Sequence, residues 1–167
     1  MVLGMSLATF TLVHVVISLI GIVAGILVLF GLLGSSRMPG MTAIFLLTTI
    51  LTNATGFLFP FEGFKPSYVI AALSLVLLAI ACIALYAMKL RGAWRWIYVL
   101  TAMLSLYLNV FVLVIQSFLK VPFLHALAPS VPPSEPPFAA VQGLVLLFFV
   151  LVIIGGIRRF RPPATFA

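Results

Sequence analysis

Apolar residues fill this chain in runs broken at short intervals by glycine, proline and charge, and each run is long enough to cross a bilayer as a helix. Spans are expected near residues 8–33, 41–60, 67–88, 96–120 and 138–157, each close to the ~20 residues that a hydrocarbon core requires. Turn chemistry marks the joints. Gly34, Ser35, Ser36, Arg37, Met38, Pro39 and Gly40 separate the first two runs, residues 60–66 the next two, and residues 90–95 the third from the fourth. Connections this short make neighbouring helices antiparallel. The remaining connection, residues 121–137, is longer and carries Pro122, Pro129, Pro132, Pro133, Pro136 and Pro137. It is expected to lie across the helix ends in extended, partly polyproline form, without a regular helix. Ser134 and Glu135 read as the N-cap region of the last span, with the carboxylate near the helix's positive end.

Polar residues inside the spans are few, and they align. On the fourth helix Ser105, Asn109, Gln116 and Lys120 fall within an arc of roughly 60° at ~100° per residue. Thr42, Thr49, Thr52, Asn53 and Gly56 cover about 100° of the second helix, and Thr11, His14, Ser18, Gly21 and Gly25 about 80° of the first. Amides and imidazole are unfavourable against lipid tails, so the three stripes are expected to converge on the bundle interior. Gln142 on the fifth helix can join them. Since the helices alternate in direction, His14, Asn53 and Gln116 share one half of the membrane, beneath the proline-rich connection.

Charge supplies the orientation. Arg37, Lys89, Arg91, Arg95, Arg158, Arg159 and Arg161 fall on one side of this threading; Lys65, Lys120, Glu62 and Glu135 fall on the other. Short loops rich in Lys and Arg stay in the cytoplasm, which places the C-terminus inside and the N-terminus outside. With 65% hydrophobic residues, 7% charged residues and a mean hydropathy of +1.38, the chain is excluded from the soluble globular class. Residues 1–167 read as a single membrane domain, an all-α bundle of five transmembrane helices. The net charge of +7 reflects cytoplasmic anchors that meet anionic headgroups, not a nucleic-acid surface. Trp94, Trp96 and Tyr98 at one end, and Phe59, Phe61, Phe64 and Tyr68 at the other, read as interfacial anchors. The first apolar run carries no basic residue before it and extends well past the about 7 to 15 residues of a signal-peptide core, so that span is expected to be retained. The last four residues do not form a prenylation box.

Candidate chemistry is limited by what the chain lacks. It has no Asp, so neither a Ser-His-Asp triad nor an aspartyl dyad can form, and its single cysteine, Cys82, excludes an intrachain disulfide, a Cys-x-x-Cys redox pair or a thiolate metal site. A pair of His14 with Glu62 has no nucleophile motif around it. The two histidines, His14 in a span and His125 in the proline-rich connection, do not match the facing helical pair that a membrane haem uses, and no metal-ligand spacing appears. No cofactor is therefore expected. The spans carry no carboxylate, which weighs against proton-driven transport, and no internal repeat is evident. Asn53-Ala54-Thr55 matches a glycosylation acceptor but lies within a span.

Two readings of the polar cluster stand side by side. In one, Asn53, Asn109 and Gln116 are interhelical packing contacts worth about 0.6 to 2 kcal/mol each, with Gly21-x-x-x-Gly25 permitting close helix approach. In the other, they line a pocket for a small polar or amphipathic ligand, with His14 inside and Glu62, Lys65 and Lys120 at its mouth. Residues 55–61 (TGFLFPF), 92–98 (GAWRWIY) and 107–118 (YLNVFVLVIQSF) resemble a group of small multi-pass membrane proteins of Gram-negative bacteria, as do the proline-rich connection and the basic tail. The resemblance implies the bacterial inner membrane, with the outer side being the periplasm, and brings no activity with it. The expectation is a non-catalytic binding or accessory protein whose partners are the lipid bilayer and either another membrane protein or further copies of itself. The alternative is a small membrane redox component, with haem or quinone, or a transport component, using His14 and the Asn53, Asn109 and Gln116 cluster.

Overall fold

The computed structural model describes residues 1–63 and 65–163, and among these the regular elements are all helical. They are α1 (Leu7–Leu33), α2 (Pro39–Gly56), α3 (Pro66–Cys82) continued by one π-helical turn (Ile83–Ala87), α4 (Trp94–Lys120), a short α5 (Pro122–Leu127) and α6 (Pro136–Arg159). The helix starts follow directly from the sequence. Ser6 caps α1 by accepting from the Thr9 N–H at 3.1 Å, and Pro39, Pro66, Pro122 and Pro136 open α2, α3, α5 and α6, where a missing N–H costs nothing.

Four helices are long and apolar enough to cross a membrane: α1, α3 with its π-helical turn, α4 and α6. The chain is a multi-pass membrane protein. The second expected span, α2, is not in that set because Thr42, Thr48, Thr49, Thr52, Asn53 and Thr55 dilute its hydrophobicity. Each of these side chains nevertheless donates to a backbone carbonyl, at 2.6 to 3.0 Å, those of Arg37, Ile44, Phe45, Thr48, Thr49 and Leu51 respectively. The helix thus satisfies its own polarity.

α4 is the centre of the bundle and packs against every other helix among the described residues. Leu29 of α1, Phe45 of α2, Leu78 and Ala81 of α3, and Val99, Ala102, Met103 and Leu106 of α4 are fully enclosed. Gly25 lets three helices meet: a Cβ there would lie 2.6 Å from Leu106 Cδ1 and 2.9 Å from Phe45 Cδ2. One at Gly21 would lie 3.0 Å from Thr48 Oγ1, so the Gly21-x-x-x-Gly25 pair acts as its spacing suggests, admitting α2 and α4 against α1. The outside is apolar, with Leu12, Val23, Phe30, Leu73, Val76, Leu144 and Leu151 among its exposed residues, as a lipid-facing surface requires.

Several local expectations change. α2 stops at Gly56, four residues short of its expected end, as the Phe57 and Leu58 N–H groups bond back three residues to Ala54 and Thr55 ahead of Pro60. The proline-rich connection does contain a regular helix, α5, because Pro122 occupies its first turn and no further proline occurs before Pro129. Glu135 stands at the N-cap of α6 but does not cap it. Its carboxylate accepts instead from the Ser130 N–H, the Ser130 hydroxyl and the Ser134 N–H at 2.9 to 3.1 Å, tying the loop to itself. Tyr98 is not an interfacial anchor; it is 2% exposed and packs against Phe160 with ring centroids 6.0 Å apart. Phe59 likewise turns inward, onto Phe10 and His14. Phe64 and the last four residues lie outside the described residues.

Candidate functional site

The polar stripes of α1, α2 and α4 turn inward over most of their length. Thr42, Thr49, Thr52, Ser105 and Asn109 are buried, while Thr11, His14, Ser18 and Asn53 are half-buried. In the half of the bundle near the proline-rich connection they form a layer of interhelical hydrogen bonds. His14 Nδ1 lies 2.8 Å from Thr55 Oγ1, joining α1 to α2. The Ser18 hydroxyl donates to Asn109 Oδ1 at 2.9 Å, joining α1 to α4. Asn53 Nδ2 donates to Ser74 Oγ at 3.1 Å, joining α2 to α3, and Gln142 Nε2 donates to the Phe111 carbonyl at 3.0 Å, joining α6 to α4. One polar contact therefore links each pair along the path α3, α2, α1, α4, α6.

The layer keeps unused hydrogen-bonding capacity. Asn109 Nδ2 and Gln142 Oε1 are enclosed without a partner among the described residues. The Thr55 hydroxyl has backbone carbonyls to donate to, which allows one sense for the His14 contact. With the Thr55 hydroxyl donating to the Leu51 carbonyl at 2.7 Å, its oxygen can accept from His14 Nδ1–H, and in that tautomer His14 Nε2 is a lone-pair acceptor. His14 and Ser18 are one helical turn apart, about 6 Å along α1. The Phe59 ring stands edge-on to the imidazole at 5.1 Å, and Gly56 of α2 faces it with room for a Cβ, which would lie 3.9 Å from His14 Cε1 in ordinary contact.

The six expected site residues divide into groups. Asn109 is held by Ser18 of α1, one helical turn from His14, whose own contact is to Thr55 of α2. Asn53 turns away from them toward α3. Gln116 and Lys120 are exposed at the end of α4, and Glu62 forms an exposed ion pair with Lys65 at 3.1 Å. His125 Nδ1 lies 3.3 Å from the Phe118 carbonyl. Thr55 and Ser74 were not singled out as site residues. Thr55 was legible, because Thr48, Thr52 and Thr55 repeat at helical spacing, whereas Ser74 is a lone hydroxyl on an apolar helix and gave no such signal.

The arrangement offers hydroxyls, amides and one imidazole, with no acid among them. It can bind by hydrogen bonding, but it holds no nucleophile poised against a base with a third group orienting it. Comparison with protein-family models, with curated proteins and with solved structures finds no match to this chain.

Proposed function

We propose that this chain is a five-helix protein of a bacterial inner membrane, with its N-terminus on the periplasmic side, and that it works by binding rather than by catalysis. In this reading α2 crosses with the others. Its polar side chains are spent on its own backbone, and α1 and α4 shield the buried face. The seven basic residues at the end that carries the α1–α2 turn, the α3–α4 turn and the tail support a cytoplasmic assignment of that end. The resemblance to small multi-pass proteins of Gram-negative bacteria supports the choice of membrane.

The single observation that carries the binding reading is Asn109: an amide 9% exposed, held by Ser18, with its Nδ2 donor unpartnered. A buried donor without an acceptor costs about 1 to 3 kcal/mol, so the arrangement suits a molecule that supplies one. Together with the His14 Nε2 acceptor, it fits a small neutral ligand bearing both a donor and an acceptor. Native mass spectrometry of the gently extracted protein tests this. A stoichiometric small molecule is expected on the wild type and not on Asn109→Leu. A wild type free of any bound molecule overturns the reading, and a bound haem or quinone would move it to the redox class.

A further inference from the structure

The most exposed apolar side chains of this protein do not belong to its lipid-facing helices. Among the described residues the five most exposed large hydrophobic side chains are Met1, Leu3, Phe61, Phe123 and Val131, at 71 to 96%. They lie in the turn before α1, the α2–α3 turn, α5 and the proline-rich segment that follows it. These segments share one end of the bundle. Phe59 of the α2–α3 turn packs on Phe10 near the start of α1. Ser18 of α1 bonds to Asn109 while Gly25 meets Leu106, so α1 runs against α4 and its start lies at the end from which α5 departs.

Each tip is held by its own contacts. Phe61 stacks with Tyr68 of α3 at a centroid separation of 5.9 Å, and Phe57 stacks with the same ring at 5.8 Å. In α5, Leu124 and His125 are half-buried, with His125 Nδ1 3.3 Å from the Phe118 carbonyl, which leaves Phe123 and Leu127, one turn apart, exposed. The Glu135 carboxylate accepts from Ser130 and Ser134 and closes the loop that carries Val131. Reciprocal backbone bonds of 3.0 Å between Val2 and Met5 close the turn that displays Leu3. Apolar side chains on tips fixed in this way lose little freedom on contact.

We infer that this end of the bundle is a docking face for a different protein, one that presents an apolar, uncharged surface outside the hydrocarbon core. α1 and α4, of 27 residues each, rise about 40 Å against a core of about 30 Å, so the segments beyond their ends stand outside it. Clustered apolar side chains displayed there mark a binding surface. Headgroup anchoring uses tryptophan and tyrosine together with lysine and arginine. Both tryptophans belong to the opposite end, and Tyr68 is half-buried in its stack. A second copy does not fit either, because copies inserted in one membrane share an orientation and their equivalent ends never meet face to face. Charge sets the chemistry of the partner. Lys65 and Lys120 balance Glu62 and Glu135 at this end, Glu62 is paired with Lys65, and Glu135 is satisfied within its loop, so the face calls for no counter-charge. The inference does not depend on the ligand reading of the polar layer.

Cysteine reactivity tests it. On a Cys82→Ala background, Phe61→Cys, Phe123→Cys and Val131→Cys would be treated with N-ethylmaleimide, which crosses membranes and so reads exposure on either side. Rates would be compared between the purified protein in nanodiscs of phosphatidylethanolamine and phosphatidylglycerol and cells that make the chain at its native level. In nanodiscs all three should react as fast as the exposed Ser134→Cys, within about threefold, whereas in cells they should react about tenfold or more slowly, with Ser134→Cys, on the polar rim, changing about threefold or less. Phe61→Ser/Phe123→Ser, which alters two exposed side chains, should leave the unfolding temperature unchanged and return Val131→Cys in cells to its nanodisc rate. Slow reaction in nanodiscs would place these side chains in the lipid headgroup layer and overturn the inference. Fast reaction in both settings, or protection in cells that survives the double substitution, would overturn it as well.

Discussion

Replacing Asn109 by leucine, a side chain of similar size, tests whether the polar layer is complete or open. The substitution removes one interhelical hydrogen bond, from the Ser18 hydroxyl, worth about 0.6 kcal/mol on average and at most about 1.7 in a membrane bundle. It also removes a buried donor with no partner among the described residues, whose desolvation costs about 1 to 3 kcal/mol. Ser18 keeps an outlet, because a helical serine can donate to the carbonyl four residues back. The second effect exceeds the first, so Asn109→Leu should stabilise ligand-free protein by about 0.5 to 2 kcal/mol. Ser18→Ala should instead destabilise, since it leaves both ends of the amide unpaired. In the double variant the Ser18→Ala cost should nearly vanish. Reversible unfolding titrations in mixed micelles measure all three. A loss of more than about 1 kcal/mol in ligand-free Asn109→Leu would refute the reasoning, because it would mean that the amide is fully satisfied by the protein.

Three further outcomes follow from the packing and the loops. Gly25→Ala should cost about 1 to 3 kcal/mol by forcing Leu106 and Phe45 aside, whereas Gly143→Ala, where a Cβ meets nothing within 4 Å, should be neutral or stabilising by up to about 1 kcal/mol; thermal unfolding in detergent compares them. Arg95→Met should destabilise by about 1.5 to 3 kcal/mol through loss of its charged contacts to the α6 carbonyls, and hydrogen exchange should rise first at the end of α6. Glu135 feels some desolvation, which raises its pKa, but the N–H and hydroxyl donors of Ser134 and Ser130 prevail and hold the carboxyl below the usual carboxylate range. A depressed folded pKa means that the loop contribution is present above the ordinary value of 4.5 and is lost as pH falls through the folded value. Proteolysis of residues 128–135 should accordingly accelerate at strongly acidic pH, and Glu135→Gln should abolish that pH dependence.

Much of the fold was legible because membrane helices announce themselves by length and hydrophobicity, and the three expected spans that open on proline, α2, α3 and α6, begin within two residues of where the pattern put them. Loop charge likewise located the basic end. What the pattern did not reveal lies in how backbone and side chains settle locally. Arc arithmetic brought Gln116 and Lys120 into the stripe of α4, yet both are exposed, because at that end of α4 the enclosed side is the one carrying Phe118, which packs against Phe138 of α6. Tyr98 looked like an anchor from its position, but the tail folds over it through Phe160, a long-range contact that no local pattern encodes. Counting prolines hid α5, since a proline in the first turn starts a helix as readily as an interior one breaks it.

Side-specific cysteine labelling tests the proposed architecture most directly. On a Cys82→Ala background, exposed positions would be replaced one at a time as Ser36→Cys, Glu62→Cys, Ser134→Cys and Pro163→Cys, and treated with a membrane-impermeant maleimide before and after permeabilisation of the cells' inner membrane. Glu62→Cys and Ser134→Cys should label from the periplasmic side, with Ser36→Cys and Pro163→Cys protected until the membrane is opened. The contrast between Ser36→Cys and Glu62→Cys reports whether α2 crosses. Labelling of both from the same side, or of Pro163→Cys before permeabilisation, would contradict the five-span arrangement with the polar layer in its outer half.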